Sequence, residues 1–130
     1  MKELREGIQA DVDPTNKQSL EKAALALHEK LNARIIMCTL SEYGVFISVK
    51  DNGGNFSALS LPAHVRSIAD VSGAGDTVIA VASLCIALKK EPEFIASISN
   101  LAGGLVCEYV GVVPIKKEKL LEESQKLYTK

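Results

Sequence analysis

The order of patterns along the chain predicts a layered α/β fold, with an α+β arrangement as the other layout the same pattern allows: an amphipathic helix, a strand, a hairpin, then two apolar helices. Three observations carry this. Leu20, Ala23, Ala24, Leu27 and Leu31 recur at three- and four-residue spacing, which is one face of a helix. Short apolar runs are punctuated by "DNGGN", a cluster of turn formers. The segment "AGDTVIAVASLCIALKK" is apolar almost all round, the pattern of a helix enclosed by other elements.

Taken in order, residues 18–31 predict the first helix, with Thr15 or Asn16 as its cap. "ARIIMCTL" reads as a buried strand, and "GVFISVK" and "FSALSL" as the arms of a β-hairpin around the turn. The apolar helix that follows should be buried and should end at Lys89 and Lys90, whose charges suit a helix C-terminus. Pro92 marks the start of another helix, with Phe94, Ile95, Ile98, Leu101, Leu105 and Val106 on the face that packs beside its predecessor. The tail "IKKEKLLEESQKLYTK" predicts an amphipathic helix with a stripe of Leu120, Leu121, Leu127 and Tyr128 and a solvated face of Lys and Glu. The sequence shows no repeat, low-complexity tract or linker, so its 130 residues read as one domain or a fragment of one.

Bulk properties narrow the function. With 47% hydrophobic and 24% charged residues the chain has the composition of a globular protein. A net charge of -1, with no basic run interleaved with aromatics, excludes the electrostatic footprint of a nucleic-acid binder. The apolar stretches around Val78 to Leu88 are too short to span a bilayer, and "MKELREGIQADVD" lacks the core of a signal peptide, so no membrane role and a cytoplasmic location are expected. Cys38, Cys85 and Cys107 are odd in number, far apart and without a CxxC, which points to buried, reduced thiols. His28 and His64 have no companion ligands and are expected at the surface.

The chemistry concentrates in "DVSGAGD", residues 70–76, where a glycine turn opens onto the apolar helix. One reading is a plain helix start, in which Asp70 or Ser72 caps, the glycines permit the turn and Asp76 complements the macrodipole. The other is catalytic. The amides of Ala74, Gly75 and Asp76 would hold charge on a transferring phosphoryl group, and Asp76 would take the proton of an attacking alcohol. A Walker loop is excluded, because no GxxxxGK[ST] occurs.

Asp70 to Asp76 resembles the D-[TV]-[TS]-G-A-G-D signature of the ribokinase-like (PfkB) carbohydrate kinases, and "GAGDTVIAV" is similar to its heptose 7-phosphate kinase subgroup. The resemblance implies the C-terminal part of a ribokinase-like three-layer α/β/α fold over residues 1–130. It also implies ATP-dependent phosphorylation of a sugar phosphate, at the anomeric hydroxyl of a heptose 7-phosphate, with ATP, Mg2+ and K+ as cofactors. On this basis Asp76 is the base and Gly73, Ala74 and Gly75 form the anion hole. "TLSEYGVFI" resembles the family's nucleotide segment, placing Thr39, Ser41 and Gly44 along the ATP site, although the family's usual Gly is here Ser41. "ISNLAGGLVCEYVGVVPI" is similar to the late segment that puts Asn100 near the adenine and a glycine turn at Gly111, with Gly104 also on the nucleotide side. Asp70 and Ser72 would help form a monovalent-cation site. "MKELREG" resembles the remnant of the N-x-x-E motif, with Glu3 acting on magnesium indirectly.

Each position keeps a structural alternative: Thr39 ends a strand, Gly44 turns the chain, Asn100 caps or solvates a helix, and Gly103 and Gly104 allow either close packing or close ligand approach. The sugar-binding half of the family is missing, which implies self-association or pairing with an N-terminal half, and an inactive chain in isolation. Another PfkB sugar or nucleoside kinase, and a nucleotide-binding or assembly module without catalysis, are the competing functions.

Overall fold

The computed structural model describes residues 1–64 and 66–129, which divide into two compact units, Met1–Ala63 and His64–Lys130, a division that no linker in the sequence announces. In the first unit, α1 (Lys2–Ile8) and α2 (Lys17–Leu31) accompany β1 (Ile35–Thr39), β2 (Val45–Lys50) and β3 (Phe56–Leu61). The Asn16 side chain caps α2 by accepting from the Ser19 N–H at 3.1 Å, as a short polar residue does ahead of an apolar-periodic run. The three strands form an antiparallel sheet in the order β1-β2-β3, with Cys38 opposite Phe46 and Phe46 opposite Ser60. The Asp51 carboxylate closes the hairpin by accepting from the Asn55 N–H at 2.9 Å. The core of this unit joins Leu20, Ala23 and Ala24 of α2 to Ile36 and Phe46 of the sheet, with Leu4 and Val12 beside them.

Helix α1 was not expected from the sequence. It is only 7 residues long with Leu4 as its one buried side chain, too short to show a periodic pattern. His28 also departs from expectation, being buried rather than at the surface. It follows Ala24 by one turn and so lies on the buried face, and both ring nitrogens find partners: Nδ1 lies 2.7 Å from the Ala33 carbonyl and Nε2 3.0 Å from Ser48 Oγ.

The second unit holds α3 (Ala74–Ala87), α4 (Pro92–Val106) and α5 (Lys117–Tyr128). Pro92 occupies the first turn of α4, where its missing N–H removes no helical bond. Lys89, in the left-handed region with φ 53°, turns the chain out of α3, and the Lys90 N–H reaches back to the Cys85 carbonyl at 3.0 Å. Helices α3 and α4 pack closely at Gly103, where a Cβ would stand 2.7 Å from Val78 Cγ2, so packing accounts for this glycine. At Gly104 the nearest atoms, Arg66 Cδ and His64 Cβ, are both at an ordinary 3.7 Å.

Three expectations are corrected here. Helix α3 buries only Val78, Val81, Ala82 and Cys85, while Ile79, Leu84 and Ile86 are exposed, because α4 covers one side of it. In α5 no residue is fully buried. Leu120 and Leu127 are half-buried, Leu121 and Tyr128 are exposed, and the Tyr128 ring stacks on Phe94 at 5.9 Å. The charged face of α5 is not simply solvated either: Glu123 accepts from Arg66 (2.9 Å), Lys119 (3.1 Å) and Lys126 (2.8 Å), and these donors, Lys126 foremost, hold its carboxyl at about 2. Arg66 donates as well to Glu108 at 2.7 Å.

His64 is half-buried rather than at the surface, and burial, with Arg66 beside it, lowers its pKa. All three cysteines are free thiols, and burial pushes each of them up, although Cys38 and Cys107 are half-buried where Cys85 is buried. No helix among the described residues is long and apolar enough to cross a membrane.

Candidate active site

The turn before α3 is fixed by backbone and carboxylate together. The amides of Ala69 and Asp70 both donate to the Cys107 carbonyl at the end of α4, at 2.8 and 3.2 Å. Asp70 Oδ1 accepts from the Ser72 N–H (2.9 Å) and the Ser72 hydroxyl (2.7 Å), while Oδ2 accepts from the Gly111 N–H (2.9 Å). These donors, the Ser72 hydroxyl first, hold the Asp70 carboxyl at about 2. Neither Asp70 nor Ser72 caps α3, against the plain helix-start reading. The cap position is Gly73, in the left-handed region with φ 76°, and no side chain bonds the first turn. A glycine is required there twice over, since a Cβ would also stand 2.9 Å from Val112 Cγ1.

The first helical bond runs from the Thr77 N–H to the Gly73 carbonyl at 3.1 Å, so the amides of Gly75 and Asp76 lie ahead of the ladder and have no acceptor within it. The Ala74 amide differs, because it already donates to the Val71 carbonyl at 3.2 Å. Of the three amides expected to receive an anion, two are uncommitted. Gly75 is exposed, and a Cβ on it would meet nothing within 4 Å, so the space beside its Cα is open. The Asp76 side chain is exposed at the same end of the helix and makes no hydrogen bond or ion pair among the described residues. An electropositive helix end beside an unengaged carboxylate can bind an anion and accept a proton from a neutral group next to it.

The other residues singled out by sequence fall into place separately. In the first unit Thr39 ends β1 opposite Val45, and Ser41, with φ 54°, opens a single 3-10 turn (Ser41–Tyr43) that Gly44 closes. Gly44 has φ 95°, and a Cβ on it would overlap the Leu61 carbonyl oxygen, so turning the chain fully explains it. Glu3 is exposed on α1, 3.6 Å from the terminal amine, and its carboxyl is lowered first by a hydrogen bond to its own backbone and next by that amine. In the second unit Asn100 and Gly104 are half-buried one turn apart, on one face of α4. Among the described residues no three His, Cys, Asp or Glu side chains gather as a metal cluster. Sequence reading missed the Cys107 carbonyl and Val112 as supports of the turn, since a backbone acceptor leaves no trace in residue type.

Two uncommitted amides and an unengaged carboxylate thus share the first turn of α3. The chain belongs to the pfkB family carbohydrate kinases, matching that family over residues 3–119. It is 38% identical over 114 residues to the bifunctional protein HldE of Methylobacillus flagellatus, covering 88% of this chain and 22% of that protein. It is 36% identical over 125 residues to the bifunctional protein HldE of Sulfurimonas denitrificans, covering 95% and 25%. The chain thus spans about a quarter of the length of these relatives. Among solved structures, phosphofructokinase-2 from Escherichia coli in complex with potassium superimposes with TM-score 0.82 at 17% identity, over 98% of this chain and 39% of that one. Ribokinase from Thermotoga maritima gives 0.68 at 18%, over 93% and 40%. The fold is that of a ribokinase-like α/β kinase.

Proposed function

We propose that the chain is the C-terminal portion of an ATP-dependent sugar-phosphate kinase domain that phosphorylates the anomeric hydroxyl of a heptose 7-phosphate. The observation that carries this reading is the pairing of the uncommitted Gly75 and Asp76 amides with the unengaged Asp76 carboxylate on one helix end. Asp76 takes the proton from the sugar hydroxyl as its oxygen bonds to the γ-phosphorus of ATP, while the bond from that phosphorus to the β,γ-bridging oxygen breaks and ADP leaves with the bridging oxygen. The amides at Gly73 to Gly75 and Asp76 hold the charge that develops on the transferred group, the Gly75 and Asp76 N–H groups contributing most because Ala74 is already engaged. The Asp76 proton then leaves to solvent, restoring the base.

Thr39, Ser41, Gly44, Asn100 and Gly104 are the proposed nucleotide-contacting residues. Asp70 makes three hydrogen bonds, all from neutral donors, and no ion pair among the described residues. Its uncompensated charge and the oxygens around it fit a monovalent cation such as K+, held by Asp70 and Ser72, which would supply positive charge close to the anion site. Among the described residues no group of three or more His, Cys, Asp and Glu side chains could hold magnesium. It is expected to arrive with ATP, Glu3 acting indirectly. The chain in isolation binds nucleotide but does not turn over.

The test is calorimetric titration of the folded chain with Mg-ATP in potassium buffer. Saturable binding that Gly75→Val weakens at least about tenfold supports the reading, as side-chain bulk in that open space blocks a ligand rather than the fold. No binding by a folded chain removes the nucleotide role from these residues. In a complete kinase domain carrying this segment, Asp76→Asn should lower turnover by about a hundredfold or more while sparing ATP binding. Near-normal turnover refutes Asp76 as the base.

A further inference from the structure

Two strips of chain support the turn that opens α3: residues 66–70, which lead into it, and residues 107–112, which leave α4. No side chain in either strip is fully buried, and Ile68, Tyr109, Val110 and Val112 are exposed. Apolar packing therefore does little to hold the strips together, and polar bonds decide their placement. The Cys107 carbonyl takes the Ala69 and Asp70 amides, and the Asp70 carboxylate takes the Gly111 amide. The remaining tie is a charge pair, in which Arg66 Nη1 donates to Glu108 Oε1 at 2.7 Å.

Arg66 also donates through Nη2 to Glu123 of α5 at 2.9 Å, while its Nε is buried without a partner among the described residues, so these two carboxylates alone set the place of the guanidinium. They do not depend on it equally. Glu123 has Lys119 and Lys126 as further partners, whereas Glu108 makes no other ion pair among the described residues. Without Arg66, the Glu108 side chain, only 26% exposed, becomes an uncompensated charge beside a second carboxylate. Its way to water is outward, and it draws with it Cys107, whose carbonyl holds the turn, and the stretch to Gly111, whose amide holds Asp70. We propose, resting on the kinase reading above, that Arg66 is a positioning residue for phosphoryl transfer: by keeping the Glu108 carboxylate in place it holds residues 107–111 against the turn, and so sets where the Gly75 and Asp76 amides and the Asp76 carboxylate stand. The Glu123 arm of the same guanidinium serves α5 and is separable from this role. Misplacing a reacting group by about 1 Å costs about a hundredfold in rate, so a support of this kind acts on turnover without touching a substrate.

The first readout is amide hydrogen exchange of the chain, resolved by NMR. Arg66→Met keeps the apolar stem and removes the charge. It should speed exchange at Gly111 by about tenfold or more, while the amides of Val81 and Leu101, buried between α3 and α4, stay slow. Adding Glu108→Gln should return Gly111 to within about threefold of the parent, because the stranded charge is gone, and Glu123→Gln alone should leave Gly111 unchanged. In a complete kinase domain carrying this segment, Arg66→Met should lower kcat by about tenfold or more with KM for ATP held within about threefold, and Glu108→Gln should restore kcat in that background. Gly111 exchange that ignores Arg66→Met, or that answers equally to Glu123→Gln, overturns the proposal. So does a loss of protection that spreads to Val81 and Leu101, a double variant no better than the single one, or a kcat that does not follow Gly111. The kinase reading fails separately, as near-normal turnover of Asp76→Asn in a domain whose Gly111 amide still responds to Arg66→Met.

Discussion

Replacing Gly103 by Ala sets two effects of opposite sign against each other. In an exposed helix interior the change stabilises by about 1 kcal/mol, because alanine restricts the unfolded chain and favours helix. Here the new methyl would stand 2.7 Å from Val78 Cγ2, with both residues buried between α3 and α4, so one helix must give way. Overpacking of this kind costs about 1–3 kcal/mol, leaving Gly103→Ala destabilising by up to about 2 kcal/mol overall. Val78→Ala removes both γ-methyl groups and costs about 1–3 kcal/mol by itself. In that background the obstruction is gone, and Gly103→Ala should become stabilising by about 1 kcal/mol. Urea unfolding of the four proteins, followed by far-UV circular dichroism, gives the cycle, and the coupling should be about 1–3 kcal/mol in favour of the double variant. Stabilisation by Gly103→Ala in the Val78 background, with no coupling, refutes the argument that helix packing selects this glycine.

Two further outcomes follow from the turns. Gly44→Ala must carry a side chain at φ 95° and displace the Leu61 carbonyl, so it should destabilise by about 2 kcal/mol or more in the same assay, and a change within experimental scatter would sink that assignment. Asp70 is held below its ordinary carboxylate value, at about 2, so its contribution to stability is present above the unfolded value near 3.8 and fades as pH falls through about 2. The melting-temperature gap between the protein and its Asp70→Asn variant should therefore be full at neutral pH and close across that acidic window; a gap independent of pH contradicts the role given to the Ser72 and Gly111 donors.

Elements whose cause is local were legible in the sequence. Asn16 caps α2 by reaching three residues ahead, Asp51 and Asn55 close a hairpin between them, and Pro92 pre-sets the first turn of α4. What escaped depends on residues far apart. His28 is buried because Ser48, 20 residues on, lies on the strand beneath it, and nothing near His28 records that. Asp70 was read as a cap or a cation ligand, whereas its distinguishing partner is the amide of Gly111, 41 residues later. The exposed face of α3 escaped for another reason, since composition reports the surroundings a helix is suited to rather than those it has. The catalytic reading of Asp76 came from the motif around it, and the structure adds which neighbouring amides are uncommitted.

Arg66 gives the C-terminal helix an unusual kind of attachment. Without a fully buried residue, α5 is held by the ring stack of Tyr128 on Phe94, by the edges of Leu120 and Leu127, and by Glu123, which joins it to Arg66 across 57 residues of chain. Much of that anchorage is ionic, and although the Arg66 and Glu123 side chains are only 19% and 13% exposed and so are screened less than a surface pair, dissolved salt weakens it more than the aliphatic contact of α3 with α4, which is indifferent to screening. Rising ionic strength should thus fray the molecule from its C-terminal end first, leaving the helix that carries Asp76 in place.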